Sequence, residues 1–129
     1  MSHLHTRILM LLSAAFMFAL GLITTFSPQS FLMHGASPSE ALIVQAAGAL
    51  YLGFAMTNWM AKDNLIGGIY SRPVAMGNLL HFFAVAMALL KISATPQRTP
   101  TILALTAIYT VFAIWFGLVV FTHPKREVA

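Results

Sequence analysis

The sequence predicts an all-α membrane protein: a transmembrane four-helix bundle, up-down-up-down, with the N and C termini cytoplasmic. Three observations carry that expectation. The 129 residues are 59% hydrophobic and only 8% charged, where soluble domains carry roughly a quarter charged residues. The mean hydropathy is +0.83, so a water-soluble fold of this size would lack the polar residues to cover its surface. The apolar residues fall into four runs, each near the ~20 residues that a bilayer-spanning helix requires.

The first run is Arg7–Phe26, and Pro28 follows it as a stop. Arg7 ahead of an apolar core also fits a signal peptide, but the core is long and no small-x-small cleavage site stands clearly after it. The second run, 41–61, is entered through Ser37-Pro38-Ser39-Glu40. That order gives an N-cap, a proline and an acidic first turn, each favourable at a helix start. The third run, 73–92, opens on Pro73, and the fourth, 101–121, ends before His123-Pro124. The gaps 27–39, 62–72 and 93–100 are short and rich in turn residues. Successive helices are therefore expected to run antiparallel within one four-span domain, 1–129.

Orientation follows from the basic residues. Arg7, Lys62, Arg72, Lys125 and Arg126 share one side, whereas Lys91 and Arg98 share the other. The richer side is assigned to the cytoplasm. The net charge of +4 does not suggest nucleic acid as a partner, because the basic residues stand singly between apolar runs, where they meet lipid headgroups. Trp59 beside Lys62 reads as an interfacial anchor, and Trp115 sits deeper. The apolar cluster from Pro28 to Met33 is expected to lie on the membrane surface or to dip back toward the bundle.

In lipid, helices associate through small side chains and a few polar contacts. The third run carries a stripe of Gly77, Asn78, His81, Ala84, Val85, Ala88 and Lys91 at helical spacing. That stripe is expected to face protein, leaving Phe82, Phe83, Met87, Leu89 and Leu90 to lipid. The second run offers Gln45, Gly48, Ala49, Leu52, Gly53 and Met56, with Ala49 and Gly53 spaced small-xxx-small. In the first, Ala15 and Ala19 share that spacing, and the fourth offers Thr106, Tyr109 and Thr110 with Phe112 and Phe116 as bulk.

His81 lies about 12 Å inside the cytoplasmic end at ~1.5 Å per residue. Gly53, Ala15 and Trp115 stand at similar depth, so a cavity beside the imidazole is one expectation. An ionisable residue within a span is a functional candidate by default, and its bland counterpart is a neutral imidazole bonded within the bundle. Gln45, Asn78, His81 and Tyr109 are the candidate ligand contacts. Glu40 and Lys91 are a candidate ion pair on the outer side, the alternative being Lys91 snorkelling alone.

Much chemistry is excluded or unsupported. No cysteine is present, which removes disulfides, thiolate metal sites and thiol nucleophiles. Haem ligation asks for a second axial ligand, and no other span holds a histidine. His3, His5 and His123 share the cytoplasmic side, where three histidines that met could bind a metal, and are read instead as solvated tails, with His34 in the first external loop. Small multidrug exporters, which have similar size and four spans, rely on a buried carboxylate. Here Glu40, Asp63 and Glu127 all lie at span ends or in tails, which also counts against two-metal phosphatase and aspartyl protease chemistry. Ser13 has no evident base beside it, and Gly67-Gly68 lacks the surroundings of a phosphate loop. No catalytic residue, metal site or cofactor is assigned.

Phe26-Ser27-Pro28 after the first span, then Gly48-Ala49-Leu50-Tyr51-Leu52-Gly53 in the second, followed by two further helices, give the chain a likeness in architecture. It resembles the DoxX-like and related uncharacterised families of four-span bacterial inner-membrane proteins. The resemblance carries over no functional residue; it implies a multi-pass protein of the bacterial inner membrane. The leading functional expectation is a non-enzymatic accessory or interaction subunit, binding a protein partner or a second copy through small-residue helix faces. The alternative is a carrier or binding module for a small apolar or lipid-like ligand in the bundle interior near His81.

Overall fold

The computed structural model describes residues 3–32, 35–64 and 71–122. The predicted positions His34, His123, Lys125, Arg126, Gly67 and Gly68 lie outside the described residues. So does the side chain of His3. The described residues form four helices and no strand: α1 (His3–Phe26), α2 (Pro38–Ala61), α3 (Arg72–Ser93) and α4 (Pro100–Phe121). All four are long and apolar enough to cross a membrane.

The helix ends follow from local chemistry. Ser37 caps α2: its Oγ accepts from the Glu40 N–H at 3.3 Å, and the Glu40 carboxylate accepts from the Ser37 N–H at 2.6 Å. That reciprocal capping box satisfies two orphan donors, with Pro38 in the first turn where no N–H is missed. Thr99 repeats the device on α4, accepting from the Ile102 N–H at 3.2 Å, and Pro100 follows. The helices therefore start one to four residues earlier than the apolar runs alone indicate. A 3-10 turn, Pro28–Phe31, packs against α2 with Pro28 buried.

The chain divides into two compact units. One is Met10–Lys62, which holds most of α1, the 3-10 turn and α2; the other holds the described residues up to Leu9 and from Asp63 onward.

Within the first unit, α1 and α2 run antiparallel, as their contacts show: Ser13 meets Asn58, Gly21 lies against Leu52, and Thr24 and Thr25 lie against Gly48. Within this unit the buried positions of α1 are Met10, Ser13, Ala14, Met17, Gly21 and Thr24. They recur every three or four residues, the spacing of a knobs-into-holes seam. Ala15 and Ala19, expected to face inward, are exposed instead. On α2 the buried residues are Gly48, Ala55, Asn58 and Ala61. Of the expected inward face, Ala49, Gly53 and Met56 are exposed. The small-xxx-small pattern marks a face able to accept a close neighbour; within this unit a different face, set by Gly48 and Asn58, meets α1.

Gly48 shows why. A Cβ there would stand 2.6 Å from Thr24 Oγ1 and 2.8 Å from the Thr25 backbone nitrogen. Gly21 is similarly closed, with Leu52 side-chain atoms at 2.8 Å from the corresponding point. Glycine at these two positions lets the helices approach closely.

In the second unit α3 and α4 also run antiparallel. Ser93 and Thr106 share a hydrogen bond of 2.8 Å toward one end, and Leu79 lies against Gly117 toward the other. The core between them is aromatic. Phe82 is 0% exposed and stacks on Phe112 (4.7 Å between centroids, 28° between planes) and Phe116 (5.6 Å, 12°). The sequence stripe put Phe82 toward lipid, and that expectation is corrected. The buried positions of α3 are Ala75, Asn78, Phe82 and Ala86, while Ala84 and Ala88 are exposed. Flat rings pack well against rings, so the aromatic face of α4 decides which face of α3 turns inward.

Candidate functional site

Asn78, His81 and Tyr109 belong to the unit of α3 and α4. Asn78 is fully buried, and its amide donates to the Val74 carbonyl one turn earlier at 2.9 Å. Tyr109 is buried on α4. His81 is half-buried one turn after Asn78. Its ring lies 5.3 Å from that of Phe82 in an edge-on arrangement and 5.9 Å from that of Tyr109. Phe82 and Tyr109 complete the triangle at 5.4 Å. The imidazole thus borders the aromatic core, with a phenol and an amide on the same pair of helices. Such a set can donate and accept hydrogen bonds.

Gln45 belongs to the other unit and lies exposed on α2. Its side-chain amide donates to the Thr25 carbonyl at 3.3 Å. Thr25 is one residue from the end of α1, where carbonyls lack intrahelical partners, so Gln45 completes that helix end. Glu40 and Lys91 belong to different units. The Glu40 carboxylate serves Ser37, whose hydroxyl also donates to it at 2.8 Å. Lys91 is exposed in the last turn of α3, where a cation complements the helix dipole.

No protein-family model, curated protein or solved structure matches the chain.

The buried polar contact between α1 and α2 was not anticipated. Asn58 and Ser13 are both fully buried, and the Asn58 amide donates to Ser13 Oγ at 3.0 Å. Ser13 Oγ in turn donates to the Met10 carbonyl at 3.1 Å. An amide nitrogen is not basic enough to take a proton from the hydroxyl, and the bond joins α1 to α2. The signal was present in the sequence: an amide inside an apolar run must find a partner, and Ser13 is a polar residue at matching depth on the neighbouring antiparallel span.

At the far end of α2, the Lys62 ammonium sits 4.5 Å from the centre of the exposed Trp59 ring and donates to the Trp59 carbonyl at 3.3 Å. An amphipathic ring and a cation at a helix end suit the headgroup region. Arg7 and Asp63 form an ion pair of 3.2 Å, with side chains 49% and 58% exposed. Among the described residues no group of three His, Asp or Glu side chains is placed to hold a metal.

Proposed function

We propose that the chain is a non-enzymatic accessory or interaction subunit, with its four spans in one up-down-up-down bundle in a bacterial inner membrane. Both termini are cytoplasmic, on the strength of the Lys and Arg distribution. The resemblance to DoxX-like proteins supports the membrane assignment. The interaction surface is the outward face of α2, centred on Ala49 and Gly53, and its occupant is another transmembrane helix.

Gly53 carries this reading. Gly21 and Gly48 each meet a neighbour at the position of a missing Cβ, whereas nothing stands within 4 Å of that position at Gly53. A glycine inside a helix costs about 0.5–1 kcal/mol relative to alanine, and close approach of a second helix is what offsets that cost in lipid. α2 is also the least apolar and least buried of the four spans, the reverse of what a helix surrounded by lipid calls for.

The absence of cysteine makes the test direct. Ala49→Cys and Gly53→Cys are oxidised in native membranes, with Val111→Cys on the exposed side of α4 as control. The reading requires cross-linked species at 49 and 53 and none at 111. Monomers throughout, together with purification in mild detergent free of any protein partner, would overturn it. Fusions of a cytoplasm-active reporter to either terminus test the orientation.

The carrier reading draws on the proximity of His81, Tyr109 and Asn78. Against it stands Phe82, which fills the space between α3 and α4 with no exposed surface. His81→Leu separates the two readings: lost co-purification of a lipid with unchanged cross-linking favours the carrier.

A further inference from the structure

We draw no further inference here: the strongest candidate, a cavity of about 420 Å³ between the 3-10 turn and the start of α2 lined by Gln29, Leu32, Gly35, Ser37, Pro38 and Ala41, adjoins residues outside the described chain, and none of these lining residues is a buried polar side chain that would name a ligand.

Discussion

Asn58 donates to Ser13 across the α1–α2 contact at 3.0 Å, with both side chains fully shielded. In hydrocarbon such a bond replaces no competing water, yet an unfolded chain in the membrane finds other partners, so measured couplings average about 0.6 kcal/mol and reach about 1.7. A double-mutant cycle of Ser13→Ala and Asn58→Leu, followed by denaturant titration in detergent, should give a coupling in that range. A coupling indistinguishable from zero would mean that the bond does not form in the membrane.

The glycines provide a sharper contrast. Gly48→Ala places a methyl against Thr24 Oγ1 and the Thr25 backbone. Because backbone cannot swing aside, the helices must part, at a cost of about 1–3 kcal/mol. Gly53→Ala meets open space within the chain. It should cost the monomer nothing and raise its stability by up to about 1 kcal/mol through the better helix propensity of alanine. Thermal denaturation of the two variants side by side measures the difference, and equal losses would refute the α1–α2 crossing described above.

Phe82→Ala should be the most damaging of the single changes on α3. It removes a ring in contact with Phe112, Phe116 and Tyr109, and losses of about 3–5 kcal/mol are typical of such truncations in soluble cores. Phe83→Ala, one residue on and exposed, should leave the melting temperature nearly unchanged. Comparable effects of the two substitutions would restore the inward stripe expected from Gly77, Ala84 and Ala88.

The Arg7–Asp63 pair should contribute little. Both side chains are about half exposed, and exposed pairs are typically worth about 0.2–1 kcal/mol and weaken with salt. Asp63→Asn should therefore shift the unfolding midpoint slightly at low ionic strength and not at all at 0.5 M salt.

The spans were legible in the sequence because length and hydropathy are one-dimensional properties. Helix starts were legible where a cap is local, as at Ser37-Pro38-Ser39-Glu40. Facing was less so. The rule that small and polar residues turn inward identified Gly48, Asn78, Thr106 and Tyr109 correctly, and misplaced Ala15, Ala19, Gln45, Ala49, Gly53, Met56, Phe82, Ala84 and Ala88. The reason is physical: lipid tails are as apolar as any side chain, so hydrophobicity does not say which face is buried. Shape does, and shape is a property of two helices together. Asn58 was missed for a similar cause, since its partner lies 45 residues away. Of the candidate contacts, Asn78, His81 and Tyr109 share a unit, and Gln45 belongs to the other.

The stacked rings of Phe82, Phe112 and Phe116 have a wider meaning in this solvent. In water, a buried phenylalanine draws much of its benefit from escaping contact with water. Inside a bilayer there is nothing to escape, and what remains is the fit of one flat surface on another. Leucine at position 82 would be just as oily and a poorer shape. The α3–α4 pair is thus held as stacked plates are held, by matching contours, and its tolerance to mutation should follow geometry where a soluble core would follow greasiness.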